Sequence, residues 1–234
     1  MDEIKRVSEE VDINLLKRIV ISRFSLVFFI MGLVFFLSAG TLKYWEGWAY
    51  ILTLSVPMII FVVYMFKHDP KLLERRMRTK EKRKEQKLIQ KMGIIPFLLA
   101  FILPGFDKRF GWSDVPLPVT IAGLVMVLVG YLMTLYVFIT NTYASRVVEV
   151  EKGQKVISTG PYALVRHPMY VAVIFFYISS TIALGSYWAA IPALLIIPVL
   201  VVRINDEEKE LLDNLEGYKE YTSKTRYRLI PGIW

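Results

Sequence analysis

Two short polar segments in an otherwise apolar chain hold the residues best suited to chemistry. The first polar segment, residues 160–170, contains His167, one of only two histidines in the chain, beside an arginine. The second polar segment, residues 203–208, follows the last apolar run and contains Arg203 and Glu207. Polar groups placed against a membrane are costly, and they are therefore functional candidates. We predict that the two segments fold together into a cofactor site at the membrane face.

The residues around His167 predict its backbone conformation and its position at the start of a helix. Pro168 restricts the residue before it to an extended conformation, and it fits the first turn of a helix that begins there. His167 is therefore predicted at the N-terminal mouth of a helix, where free N–H groups and the helix dipole favour an anion. The alternative is structural: His167 only caps the helix, and Arg166 extends to lipid phosphate.

Arg203 and Glu207 are four residues apart, so they share one face of a helix. At a binding site, Glu207 would accept hydrogen bonds from a cationic or amine group, and Arg203 would hold a carboxylate or phosphate. The alternative is a weakly stabilising ion pair within the helix. His167 and Glu207 supply too few ligands for a metal site, and the sequence has no phosphate-binding or dinucleotide glycine fingerprint.

The composition indicates a polytopic membrane protein. The mean hydropathy is +0.45 and 55% of the residues are hydrophobic, which is too apolar for an ordinary soluble domain. The net charge of +8 does not indicate nucleic-acid binding, because the basic residues lie between apolar runs and not among stacking aromatics on a soluble face. The chain has no cysteine, which excludes disulfides and a cysteine nucleophile.

The hydropathy pattern predicts an all-α fold with about six transmembrane helices. They fall at about 19–39, 48–66, 92–106, 117–139, 169–184 and 188–202. The third is only about 15 residues long and contains two prolines, so we expect it to be short, tilted or partly re-entrant. A tight turn at 185–187 makes the last two a helical hairpin. Residues 1–140 are predicted to form N-terminal membrane helices, and 141–234 the core of the site, within one integrated domain.

The distribution of lysine and arginine predicts the orientation. With a cytosolic N-terminus, the predicted internal segments carry 26 of the 29 basic residues. Both termini and both polar segments are then cytosolic. The most basic segment, residues 67–91, is predicted to be a solvated helical linker against anionic headgroups, and residues 1–18 an amphipathic lead-in. Membrane lipids are therefore predicted contacts, whereas nucleic acid and metal are not.

The order of motifs in residues 140–234 resembles the isoprenylcysteine carboxyl methyltransferase family, within the wider group that includes membrane phospholipid N-methyltransferases. The motifs are Val147-Val148-Glu149, Gly153-Gln154, Thr159-Gly160-Pro161-Tyr162, Arg166-His167-Pro168-Met169-Tyr170, Arg203, Glu207-Glu208, Leu211, Tyr218, Tyr221 and Ile230-Pro231. The resemblance implies that S-adenosylmethionine lies in a cytosol-facing pocket closed by the C-terminal segment. It also implies that the methyl acceptor enters from the membrane.

The same resemblance assigns site residues. It implies that Arg203 faces and binds the acceptor, that Glu207 binds the cofactor ammonium, and that these two act with Tyr170 as catalytic residues. The implied cofactor-binding residues are Glu149, Gln154, Lys155, Val156, Ile157, Tyr162, His167, Pro168, Met169, Tyr170 and Glu207. Glu149 stands where the eukaryotic enzymes of that family have glutamine.

The resemblance predicts methyl transfer to a lipophilic acceptor, best a carboxylate of a prenylcysteine-like or other amphiphilic molecule. A carboxylate needs no general base, whereas a phospholipid amine would have to lose a proton, with Glu208 or Tyr170 as the nearest bases. A small thiol is a further acceptor class. Two alternatives remain: an NADPH-dependent enzyme like the sterol reductases, and a membrane scaffold or transporter without catalysis.

Overall fold

The computed structural model describes residues 12–77, 83–143, 150 and 153–234, and all regular secondary structure within them is helical. The helices are α1 (Ile13–Ala39), α2 (Trp45–His68), α3 (Pro70–Met77), α4 (Lys84–Phe110), α5 (Leu117–Thr140), α6 (Pro168–Ala183), α7 (Ala190–Leu194), α8 (Ile196–Asn214) and α9 (Tyr218–Lys224), with a 3-10 helix (Gly160–Ala163) before α6. The predicted all-α class is confirmed. Parts of the predicted lead-in and basic linker (1–11 and 78–82) and Glu149 lie outside the described residues.

Four of the described helices, α1, α2, α4 and α5, are long and apolar enough to cross a membrane. They contain 24 to 27 residues, which corresponds to about 36–40 Å of helix. Helix α6 is also apolar but has only 16 residues. Large apolar side chains such as Ile21, Leu37 and Ile95 are exposed on the outer surface of the bundle, where lipid would cover them. The protein is therefore an integral membrane protein; the count of six spans stays a prediction.

The prediction of a short third span was wrong, because α4 is one helix of 27 residues. It begins at Lys84, well inside the predicted basic linker, and it contains Pro96 and Pro104. The charged N-terminal part is helical because it packs on the protein: Gln86 is fully buried and Ile89 nearly so. Prolines are tolerated in membrane helices where neighbouring helices compensate for the lost hydrogen bond.

The predicted C-terminal hairpin is present, but its second arm is broken. Residues 184–189 connect α6 to α7, and α6 contacts both α7 and α8. The chain leaves the helix at Leu195 and starts again as α8, which continues to Asn214. Pro198 explains the break, since it has no N–H to bond the carbonyl four residues earlier and its ring clashes there. The second polar segment therefore lies in the middle of α8, on a helix, as its spacing predicts.

Helices α5 and α6 pack closely because glycine lies at their contact. A Cβ atom on Gly123 would lie 2.6 Å from the backbone nitrogen of Ala183, and one on Gly130 would lie 3.2 Å from the Cα of Phe176. Small residues allow membrane helices to approach in this way. The contact sets the position of α6, and hence of the first polar segment at its start.

Substituting Gly123 with alanine is expected to destabilise the protein by about 1–3 kcal/mol, because the backbone of α6 would have to move. Gly32→Ala in α1 is the matched control: its Cβ would meet nothing within 4 Å, and alanine favours the helix. Thermal unfolding in detergent measures both. Equal melting temperatures for the two variants would show that the α5–α6 contact is not tight.

Polar contacts hold the end of the bundle opposite the polar segments. The buried Asp107 accepts hydrogen bonds from the Ser113 backbone (2.6 Å) and hydroxyl (2.7 Å), and from the Ser186 hydroxyl. Tyr44 donates to the carbonyl of Leu184 at 2.6 Å. These contacts tie α2 and α4 to the turn after α6. The ends of α2, α5 and α8 and the starts of α4 and α6 then meet at the other end of the bundle.

Candidate active site

Glu208 connects three parts of the chain at this end of the bundle. The Arg166 guanidinium donates to both of its oxygens, at 2.6 and 3.2 Å. Arg228 donates at 2.7 Å, and His167 Nε2 lies 3.2 Å from Oε1. The carboxylate is buried, with 5% of its side chain exposed. Glu208 thus joins α8 to the first polar segment and to the C-terminal tail, residues 225–234.

The electrostatics keep Glu208 ionised. Burial opposes its charged form, but hydrogen bonds from His167 and Arg166 outweigh burial and lower its pKa to about 2. A carboxylate with so low a pKa and three side-chain partners is a poor proton acceptor. These partners occupy Glu208 and disfavour it as the general base that the sequence left open.

The C-terminal tail closes against the first polar segment. Backbone N–H groups of Arg166 and His167 donate to the carbonyls of Tyr227 (2.9 Å) and Arg228 (3.0 Å). Arg166 also donates to the carbonyl of Thr225 at 3.1 Å. Arg166 thus bonds to protein groups, and His167 is the N-cap residue of α6, although its side chain makes no capping hydrogen bond. His167 does occupy the position that precedes α6, as predicted.

A second hydrogen-bonded group lies beside this one. The Tyr170 hydroxyl accepts a hydrogen bond from Arg203 Nε at 2.8 Å and donates one to Glu207 Oε2. Tyr170 is buried, whereas Arg203 and Glu207 are partly exposed. The phenol therefore lies between the two residues that the sequence placed on one helical face. The three residues predicted to be catalytic are in direct contact.

One cavity contains nearly all of the predicted site residues. Of these, it is lined by Gln154, Lys155, Val156, Ile157, Tyr162, His167, Pro168, Met169, Tyr170, Arg203 and Glu207. Glu149 lies outside the described residues, so its predicted contact is not described. The cavity is also lined by residues that are not among the predicted site residues: Asn141, Tyr143, Arg166, Glu210, Leu211, Leu215, Tyr218 and Tyr221.

Part of this larger set could have been found from helical spacing. Glu210 and Leu211 lie three and four residues after Glu207, so they share its face of α8. Tyr218 and Tyr221 belong to the motifs of the resemblance, but helical spacing does not place them, because Gly217 turns the chain with φ +81° before α9. Their place on the cavity follows from that turn.

The cavity has one apolar side and one polar side. Leu215, Tyr218 and Tyr221 form an apolar cluster with Val156 and Leu211. The polar side holds the Tyr170 group described above. The Tyr221 hydroxyl donates to the carbonyl of Tyr162 at 2.7 Å, and burial raises the Tyr221 pKa to about 12.

The segment before α4 reaches the wall of this cavity. Arg83 donates to Asp206 at 2.8 Å and pairs with Glu210 at 3.0 Å. Gln86 also donates to Asp206. Arg83, from the N-terminal half of the chain, therefore pairs with Glu210, one of the carboxylates that line the cavity. Within the described residues, no group of three or more His, Cys, Asp or Glu could hold a metal ion.

Among solved structures, the chain is similar to the eukaryotic intramembrane Ras methyltransferase ICMT (isoprenylcysteine carboxyl methyltransferase) without a monobody, with 17% identity over 92% of this chain and 86% of that chain and a TM-score of 0.47. No curated protein matches. Residues 119–219 match the family model for phospholipid methyltransferase. That stretch runs from α5 into α9 and carries most of the cavity. Over residues 119–219 the chain is therefore similar to the phospholipid methyltransferase family.

Proposed function

We propose that the chain transfers a methyl group from S-adenosylmethionine to a lipophilic acceptor, and that the cavity is the active site. The observation that carries the proposal is the meeting of the first polar segment, α8 and residues 154–157 around one cavity. When bound, S-adenosylmethionine supplies an electrophilic methyl group on a sulfonium. In-line displacement of that kind depends mainly on positioning and on exclusion of water.

The cavity residues suit this cofactor. Val156, Ile157 and Leu211 offer an apolar wall for a flat adenine ring. Glu207 and Glu210 supply negative charge, which matches a ligand carrying both a sulfonium and an ammonium group. We assign the remaining predicted residues to the ribose and methionine portions of the same ligand.

The preferred acceptor is the carboxylate of a prenylcysteine-like or other amphiphilic molecule. Arg203 is the residue assigned to orient it, since a guanidinium binds a carboxylate with two parallel hydrogen bonds. The Tyr170 hydroxyl, which accepts from Arg203 Nε, would hold the guanidinium in place. A carboxylate acceptor is already a nucleophile at neutral pH, so this reaction needs no base.

The alternative acceptor is a phospholipid amine, which would need a proton acceptor at the cavity. N-methylation requires the amine to lose a proton, and Glu208 is committed to its three partners. Glu207, bonded through the Tyr170 hydroxyl, is then the carboxylate on the cavity best placed to take that proton. The description of the matching family also names a phospholipid methyltransferase.

We assign the cavity to the cytosolic side of the membrane. The basic segments of the sequence flank this end of the bundle, and Arg83 connects one of them to α8. Basic residues concentrate on cytosolic loops. Soluble cofactor would then enter directly, while the acceptor arrives from the bilayer.

Calorimetric binding to the purified protein tests the proposal. We expect S-adenosylmethionine and S-adenosylhomocysteine to bind and NADPH not to bind. Glu207→Gln should weaken binding of S-adenosylmethionine by about tenfold or more, because a charge-assisted hydrogen bond to the ammonium is lost. Glu216→Gln, an exposed site beyond α8, is the matched control and should bind like wild type. Binding of NADPH alone would contradict the methyltransferase proposal and indicate a reductase.

A further inference from the structure

The hydroxyl of Tyr218 is buried at the cavity without a hydrogen-bond partner among the described residues. Only 4% of the residue is exposed. Buried polar groups nearly always have a partner, and leaving one unpaired is costly. A lone buried hydroxyl on a ligand cavity therefore indicates that a ligand supplies the missing partner.

The surroundings of Tyr218 define what that partner must be. Its ring packs in the apolar cluster with Leu215 and Tyr221. Its hydroxyl lies within electrostatic range of Glu208 and Glu207, and of Arg166, whose effect is smaller than that of either carboxylate. Burial and then these carboxylates raise the pKa of Tyr218, so the phenol keeps its proton and acts as a donor. The partner is an acceptor atom, and two carboxylates nearby disfavour an anion in that place.

We infer that the Tyr218 hydroxyl donates a hydrogen bond to a ribose oxygen of the adenosyl ligand. This inference rests on the proposed function. The hydroxyl lies where the apolar side of the cavity meets its acidic side, and in S-adenosylmethionine the ribose joins the apolar adenine to the charged methionine portion. A ribose oxygen is also a neutral acceptor, as the two nearby carboxylates require.

Tyr221 provides a matched control one helical turn away. The two rings are in contact, with centroids 5.6 Å apart. The Tyr221 hydroxyl is already used, since it donates to the carbonyl of Tyr162. Removing the two hydroxyls should therefore have opposite consequences: loss of ligand binding at one position and loss of stability at the other.

The test compares Tyr218→Phe and Tyr221→Phe with wild type by calorimetry and thermal unfolding. The ligands are S-adenosylhomocysteine and 5′-methylthioadenosine, which share the nucleoside but differ in the amino-acid portion. We expect Tyr218→Phe to weaken both ligands equally, by about tenfold, without lowering the melting temperature of ligand-free protein. Tyr221→Phe should lower that melting temperature.

Two results would overturn the inference, and a third, distinguishable from them, would overturn the proposed function. Unchanged affinity of Tyr218→Phe for both ligands would overturn it. Weakened binding of S-adenosylhomocysteine alone would also overturn it, because the contact would then be to the amino-acid portion. Wild-type protein that is folded but binds neither compound would instead overturn the proposed function.

Discussion

Glu208→Ala is expected to lose stable folding, because Arg166, His167 and Arg228 all share this one buried carboxylate. Removing one partner of a buried ion pair typically costs about 3–5 kcal/mol, since the other charge is left uncompensated. That is a large part of the ~5–15 kcal/mol that stabilises a typical protein. Thermal unfolding in detergent, with the yield of monodisperse protein, measures the effect.

Glu216→Ala is the matched control for this substitution. Glu216 is exposed just after α8, and its loss should change stability very little. A Glu208→Ala protein as stable as the control would show that the charged contacts of Glu208 do not hold the tail and first polar segment in place.

The same carboxylate should make stability depend on pH in an acidic window. Folding lowers the Glu208 pKa from an ordinary 4.5 to about 2, so its contribution is complete above the ordinary value. It is lost as the pH falls from there towards 2, because in this window the unfolded state takes up the proton while the folded state still holds Glu208 ionised. We expect wild type to lose more unfolding free energy across this window than Glu208→Gln, which has no such proton to bind. Parallel curves would contradict the assignment.

Arg203→Gln is expected to reduce methyl transfer to a carboxylate acceptor by about 10- to 100-fold, the range that corresponds to losing a hydrogen bond to a charged group. The substitution removes the guanidinium assigned to the acceptor, while the residues assigned to the cofactor remain. S-adenosylmethionine affinity should therefore stay near that of wild type. Initial rates against acceptor concentration, with calorimetry of the cofactor, separate the two effects.

Arg226→Gln is the matched control: it removes one positive charge, as Arg203→Gln does, but at a residue outside the cavity. Arg226 is exposed in the C-terminal tail, and only its backbone carbonyl contacts Arg166. It should transfer methyl groups at the wild-type rate. If Arg203→Gln weakened cofactor binding as much as it slowed turnover, Arg203 would belong to the cofactor and not to the acceptor.

The assembly of the site could be predicted from the sequence, because its parts have local signals. Pro168 marks the start of α6, and the spacing of Arg203 and Glu207 places them on one face of α8. No such local signal predicts which way the Glu208 side chain points. Adjacent residues of a helix point about 100° apart, and only the packing of α8 shows which of Glu207 and Glu208 meets Arg166. Its partner Arg228 is 20 residues further along the chain.

The helix boundaries were less predictable where charge and packing compete. Hydropathy marks only the apolar part of α4, whereas its first turns are charged and are ordered by burial of Gln86 against Asp206. The break at Leu195 was hard to predict, because the apolar run continues through it and only Pro198 indicates that the helix is interrupted there. The sequence lists Tyr218 among the motifs but gives it no role, since the missing partner of its hydroxyl is visible only in three dimensions.

Transfer of a labelled methyl group from S-adenosylmethionine to membrane lipids and to a prenylcysteine acceptor tests the central claim most directly. Wild-type protein in detergent, Glu207→Gln and Arg203→Gln would be assayed side by side. The account predicts a labelled, lipid-soluble product with wild type and a strong reduction with both variants. Equal labelling by all three proteins would contradict it, because methyl transfer would then occur away from this cavity.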